Sequence, residues 1–246
     1  MPNSAAVPGR PRSRDAAGLP AVTPERIVAA ALELTARHGL DSWTLRQLAG
    51  AVDAYPAVIY HHVGDREAVV SAVVDRVIGM YPLPPEHLEW REWFRSLFRE
   101  LRGVLTQYPG VARRLAVSGP NVDAAAPTID RGMRILLKAG FGRESAAVYR
   151  YLSAVACQYI SVEDERTRQS ELIARNSEAW SKNRDDAEWP GLAAMSADIH
   201  EVATDPDRRE NYFRDEFEYA IDRCLDGVAN RRSNNGDGGT DVLGNG

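Results

Sequence analysis

A short helix, a tight break and a second short helix fit between residues 44 and 63, and this constrains the fold more than any other feature of the chain. Thr44-Leu45-Arg46-Gln47 has the form of a capping box, in which the Thr44 hydroxyl bonds the Gln47 amide and the Gln47 side chain reaches back. Leu45, Leu48, Ala49 and Val52 supply one apolar face at helical spacing. Asp53-Ala54-Tyr55 interrupts it. Pro56, pre-set for the first position of a helix, restarts the pattern over 56–62 with Ile59 inward. Gly64 closes this helix, and Asp65 caps the next, which runs to about Gly79 through Val69, Val70, Val73, Val74 and Val77. A helix-turn-helix needs such a pair, one helix bracing while the next enters a groove about 12 Å wide. On periodicity alone a plain helical corner is the commoner meaning, because many helical proteins contain short helix pairs.

The rest of the chain also reads as helical, and no stretch alternates like a strand. Thr23 before Pro24 marks a helix start, Ile27, Ala31 and Leu34 continue it, and Gly39 closes it with Leu40 as the accompanying apolar contact. Pro82, Pro84 and Pro85 form a stiff hinge and the expected domain boundary. Beyond it, Trp90, Phe94, Leu97, Leu101, Leu105 and Tyr108 mark a long amphipathic helix. Further helices are expected at about 109–117, 127–139 and 143–165. Polar helical pieces follow around 170–182 and 188–203, and a last helix at 206–229 carries Phe213, Phe217, Ala220, Ile221, Cys224, Leu225 and Val228 on one face. The predicted domains are a reader at 23–80 and a helical body at 86–230. A flexible arm at 1–22 and an Asn/Gly-rich disordered tail at 231–246 flank them.

With 246 residues, 44% of them hydrophobic and 26% charged, the chain can bury a sizeable core, which rules out wholesale disorder. Its two cysteines, Cys157 and Cys224, cannot build a disulfide framework or a four-cysteine metal site. They are expected to be small buried hydrophobes in a reducing, cytoplasmic protein. No apolar run reaches the roughly 18–20 residues of a membrane span, and no secretory signal stands at the N-terminus. No phosphate loop, nucleophile elbow or metal-ligand spacing is present, so neither a cofactor nor a metal is expected. A net charge of −5 speaks against nucleic acid, but it is unevenly placed: the first 78 residues balance 8 arginines against 8 carboxylates.

Thr44-Leu45-Arg46-Gln47-Leu48-Ala49, followed by Tyr55-Pro56-Ala57-Val58-Ile59-Tyr60-His61-His62-Val63-Gly64-Asp65-Arg66-Glu67-Ala68-Val69, strongly resembles the DNA-binding domain of the TetR (tetracycline-repressor) family. The resemblance covers about residues 23–78. It implies an all-α, homodimeric, one-component regulator, with a three-helix helix-turn-helix domain followed by an effector-binding and dimerisation domain. Carried over by position, Thr44 and Arg46 touch phosphate, Arg46 with reach to a base. Tyr55, Pro56, Ala57 and Val58 form the exposed start of the recognition helix. Tyr60, His62 and Arg66 match backbone-contacting positions, and His61 faces the DNA at a variable one. The alternative for Tyr60 and His62 is that they are packing residues that hold the helix pair.

The chain departs from the family pattern in three ways. Asp53 stands where glycine is usual, Tyr55 stands where a serine or asparagine cap is usual, and the recognition helix has no Arg or Lys for forked guanine readout. Gly9-Arg10-Pro11-Arg12 resembles a minor-groove hook.

The later half is similar, more loosely, to the family's effector domain. Tyr108-Pro109-Gly110-Val111, Leu136-Leu137-Lys138-Ala139-Gly140-Phe141 and the last helix follow its layout. The implied pairing surface combines helix 143–165, with Tyr149, Leu152, Ala156 and Tyr159, and helix 206–229; both stripes also fit a monomer core. A small organic effector is expected among Trp90, Trp93, Phe94, Phe98, Met133, Phe141, Tyr149, Cys157 and Gln158, although an aromatic stripe of this kind is more often simple core. Trp180 and Trp189 are candidates for a lid or a loop anchor. The expected function is a repressor released from operator DNA by that effector. The rivals are an interaction module without DNA binding and an all-α enzyme.

Overall fold

Local capping decides where the helices of the first half begin. The computed structural model describes residues 21–236; the arm up to residue 20, with its Gly9-Arg12 hook, and the tail beyond 236 lie outside the described residues. In α1 (Pro24–His38) the Thr23 hydroxyl accepts from the Arg26 amide at 3.3 Å. In α2 (Leu45–Ala51) the full capping box forms, at 3.3 Å from the Gln47 amide to Thr44 Oγ1 and 2.8 Å from the Thr44 amide to Gln47 Oε1. α3 (Pro56–His62) starts on its proline, and α4 (Arg66–Ile78) starts on Asp65, whose carboxylate accepts from the Ala68 amide at 2.9 Å. Ile27, Ala31, Leu48, Ile59, Val69 and Val73 make a dry centre for these four helices.

Asp53, between α2 and α3, has φ +52°, a left-handed conformation that glycine takes freely and L-residues take at a cost. Asp53→Gly is therefore expected to keep stability or raise it by up to about 1 kcal/mol, while Asp53→Val should cost more than about 1 kcal/mol. Urea denaturation of both variants at one protein concentration tests this; equal midpoints for Gly and Val would contradict it.

The body comprises α5 (Trp90–Leu105), α6 (Val111–Ser118), α7 (Val122–Lys138), a 3-10 turn at Gly142–Glu144, and α8 (Ser145–Arg168). It continues with α9 (Ser170–Ser181), α10 (Pro190–Thr204) and α11 (Pro206–Gly236). The long helix α8 is central, packing against α5, α6, α7, α9 and α11. Two boundaries differ from expectation. α7 begins at Val122, so Pro127 lies inside the helix, where it removes one backbone bond. α11 continues to Gly236 rather than ending at Ala229, so the first six residues of the predicted tail are helical.

The apolar stripes expected to pair two chains mostly face inward. Leu152 and Ala156 on α8, and Phe217, Ala220, Ile221 and Leu225 on α11, are buried in this chain's own core. Tyr151, Tyr159 and Val162 on α8 and Tyr219 on α11 face outward.

The proline hinge is pinned rather than free: Pro84 is buried and its carbonyl accepts from the Trp93 indole at 3.2 Å. Other contacts join reader and body. The Leu40 amide donates to Pro109 O at 2.8 Å, Arg113 pairs with Asp41 at 2.8 Å, Arg114 pairs with Glu67, and the Asn121 side chain donates to Asp75 at 2.8 Å.

One carboxylate of α8, Asp164, is 6% exposed, and its Oδ2 accepts from the Gly110 amide at 2.9 Å. Burial raises its pKa to about 6, against the smaller lowering effects of the Gly110 bond and Arg168. A folded pKa above the unfolded one means that this group favours the fold most at low pH and that the benefit is lost as pH rises through about 6. Asp164→Asn, neutral at every pH, should therefore be more stable than the parent at pH 8 by up to about 3 kcal/mol, and by only about half as much at pH 5. Denaturation midpoints at the two pH values check this; a parent that is the more stable protein at pH 8 would contradict it.

Candidate nucleic-acid interface and effector chamber

The recognition candidates stand on α3, whose single buried anchor is Ile59. Around that anchor the helix turns Tyr55, Ala57, Tyr60, His61 and His62 to solvent, with Tyr55 77% and Tyr60 55% exposed. Tyr60 and His62 are therefore surface groups and not the packing pair that holds the two helices. Pro56 and Val58 are half-buried, and Val58 packs on the core. Tyr55 occupies the cap position and makes no capping bond, as its side chain dictates. Thr44 and Arg46 are both exposed at the start of α2, and the Thr44 hydroxyl is already engaged in the capping box.

Arg66 behaves differently from a free phosphate-seeking arm. Its Nη2 donates to Leu40 O at 2.9 Å and its Nε to Trp43 O at 3.3 Å, and the guanidinium lies 4.9 Å from the centre of the Trp43 ring. Trp43 is itself buried, with its indole N–H on Thr35 at 3.0 Å. Arg66 thus clamps the corner between α1 and α2 onto α4, a role that residue type and spacing did not reveal.

In the body, Trp93, Phe94 and Phe98 are fully buried and interlock, Trp93 with Phe94 at 4.9 Å and Phe94 with Phe98 at 5.7 Å. Tyr149 closes on Phe94 at 6.1 Å, and Cys157 is buried. Gly132 makes this approach possible: a Cβ there would lie 2.6 Å from the Tyr149 ring and 3.4 Å from Trp93. Three further hydroxyls join this cluster. Tyr81 lies 3.4 Å from Thr128, and Tyr149 hydrogen-bonds with Ser153. Burial raises the pKa of Tyr81 and Tyr149 and pushes the Cys157 thiol to about 12, so all three are neutral at physiological pH.

Two expected chamber residues turn away from the cluster, while Trp90 and Phe141 are buried in the same core. Gln158 is exposed, because it lies on the face of α8 opposite Ala156 and Ile160. Met133 is half-buried beside Gly132, which takes the inward position. Trp90 and Phe141 pair with each other at 5.0 Å. Sequence reasoning missed Tyr81, Thr128, Gly132 and Ser153; the one available signal was a glycine in the middle of a helix. Trp180 and Trp189 are 43% and 60% exposed on and beside α9 and α10. A separate open groove of about 370 Å³ lies between α8 and α11, lined by residues that include Glu144, Ala147, Tyr151 and Cys224. Among the described residues no group of three or more His, Cys, Asp or Glu is placed to hold a metal, and no helix is long and apolar enough to cross a membrane.

Comparison with known proteins agrees with this layout. Residues 27–73 match the family model "Bacterial regulatory proteins, tetR family", and residues 82–232 match "Tetracyclin repressor-like, C-terminal domain". An HTH-type transcriptional regulator of Saccharopolyspora erythraea is 31% identical over 183 residues, covering 71% of this chain and 75% of that protein. The class A tetracycline repressor of Escherichia coli is 27% identical over 126 residues, half of this chain and 58% of the repressor. Among solved structures, Streptomyces coelicolor ActR in complex with actinorhodin superposes with a TM-score of 0.66 at 27% identity, over 84% of this chain and 96% of ActR.

Proposed function

The chain belongs to the tetracycline-repressor family, and from that premise we propose that it is a homodimeric repressor whose effector opens the aromatic cluster of the body. Residues 23–80 read the operator, and residues 86–230 bind the effector and dimerise. The observation that carries the reading is α3, a short helix anchored by one buried residue and presenting Tyr55, Ala57, Tyr60, His61 and His62 to solvent. Arg46 and Thr44 flank it as phosphate contacts. This surface lacks Arg and Lys on the recognition helix itself, so readout rests on the tyrosines, the histidines and small apolar contacts.

The two chains pair through the outward faces of α8 and α11. Tyr151, Tyr159, Val162 and Tyr219 and the groove between these helices offer the apolar surface that a second copy would cover. The relatives are transcription regulators, which favours this reading over an enzyme.

The effector is a neutral, planar, hydroxyl- or carbonyl-bearing aromatic. Trp93, Phe94 and Phe98 offer ring faces, and Tyr81, Thr128, Tyr149 and Ser153 offer uncharged hydrogen-bonding groups. These side chains fill the cluster themselves, so the effector must bind an opened form, and it releases DNA only through its preference for that form. Trp93 also holds Pro84 of the hinge, so separating the cluster frees the link to α4.

The test uses a neutral polycyclic hydroxyquinone, titrated into the protein on DNA from its own upstream region. Quenching of tryptophan fluorescence that is lost in Trp93→Phe, together with DNA release, is the expected result. Quenching without release would overturn the switch, and no binding by any neutral polycyclic aromatic would overturn the effector class.

A further inference from the structure

We propose that Asp164 is a positioning residue that sets the orientation of the DNA-reading half on the body, acting through the turn before α6. A continuous run of short contacts leads from α8 to the base of the recognition helix. Asp164 holds the Gly110 amide at 2.9 Å in a buried setting. The neighbouring Pro109 carbonyl receives the Leu40 amide at 2.8 Å. Gly110 has φ +93°, and a Cβ there would stand 3.2 Å from Leu40 Cβ, so turn and corner meet with no side chain between them. One helical turn beyond Asp164, Arg168 packs on the same corner, where a Cβ on Gly39 would lie 3.2 Å from its guanidinium. On the far side of the corner, the carbonyls of Leu40 and Trp43 are held by Arg66, the first residue of α4 and four residues after the end of α3.

The other polar ties between the halves are weaker candidates for this task. Arg113–Asp41, Arg114–Glu67 and the Asn121–Asp75 hydrogen bond all lie at the surface, where polar pairs compete with water and exposed ion pairs are screened. Asp164 is different in a second way. Its burial penalises the carboxylate at neutral pH, and Gly110 is the one hydrogen-bond partner it has among the described residues. A side chain that costs stability while fixing a single turn is better explained by what that turn positions than by the fold it sits in.

The inference rests on the proposed DNA-reading role for its consequence, but its geometry is testable without DNA. The experiment places spin labels at Glu33→Cys on α1 and Glu100→Cys on α5, both exposed, in the full chain with Cys157 and Cys224 replaced by alanine. Labelled protein is diluted with unlabelled protein, so that distances within one chain are read. Asp164→Asn and Asp164→Ala should broaden or shift the distance distribution, while Arg113→Ala leaves it unchanged. The Asn variant should keep a thermal midpoint at least equal to the parent, and both variants should bind upstream DNA at least tenfold more weakly. An unchanged distance distribution in the Asn variant overturns the proposal, whatever happens to DNA binding. A shifted distribution in a protein that binds no DNA even as the parent supports the positioning role and overturns the function instead.

Discussion

Arg46→Ala is expected to weaken operator binding by roughly 2–6 kcal/mol, or about 30-fold to 20,000-fold, while leaving thermal stability within about 0.5 kcal/mol of the parent. The side chain is exposed at the start of α2, and no hydrogen bond or ion pair of the described structure depends on it. A phosphate or base contact is worth about 1–3 kcal/mol, and a twofold dimer repeats each contact in both half-sites, which doubles the loss. Tyr60→Phe removes one exposed hydroxyl per chain, so it belongs at the lower end of the same range. Fluorescence anisotropy on a fixed duplex at fixed salt, with calorimetry on the free protein, separates the two quantities. Normal affinity in both variants would remove these residues from the interface.

Arg66→Ala should have the largest effect on stability, about 2–4 kcal/mol. Two donors of a charged group leave the carbonyls of Leu40 and Trp43, each bond to a charged partner being worth about 1.5–3 kcal/mol. The stacking on Trp43 adds about 0.5–2 kcal/mol, and the contributions overlap because one guanidinium makes them all. Arg66→Lys should recover only part of this, since an ammonium cannot fork to two carbonyls and lie flat on an indole at once. Urea midpoints at one protein concentration test it. A loss below about 0.5 kcal/mol for Ala, or full recovery with Lys, would contradict the clamp.

The amino-acid sequence made the reading half legible because its signals are local. A capping box, a proline at a first helical turn and a single inward isoleucine act within a few residues, and each recurs in the structure where spacing places it. Even the departures were readable: Tyr55 does not cap, and Asp53 takes the backbone conformation of the glycine it replaces. Direction was harder to read. Arg66 carries the residue type of a phosphate contact, and only the approach of a corner some 26 positions away in sequence turns its donors inward.

Pro127 imitates a helix start, yet the chain resumes its helix immediately after Gly119-Pro120-Asn121 and tolerates the missing amide. On α8 a 3,4,3 spacing selects a face but not what that face meets. Tyr149, Leu152 and Ala156 therefore fitted a partner interface as well as the core they enter. Gln158 failed because it lies one residue past Cys157, about 100° around the helix, and that rotation carries it to solvent. Asp164 carried no sequence signal at all, since it sits within an acidic run that reads as a solvated helix end.

The most direct test of the account is selection of duplexes from a random pool by the purified full chain, followed by the mass of the complex formed on the enriched sequence. The account predicts a two-fold symmetric site whose half-sites are centred about 34–36 Å, one helical turn, or a multiple of that apart, occupied by an even number of chains. Failure to enrich any sequence above non-specific binding, or a stable complex holding one chain on an asymmetric site, would contradict it.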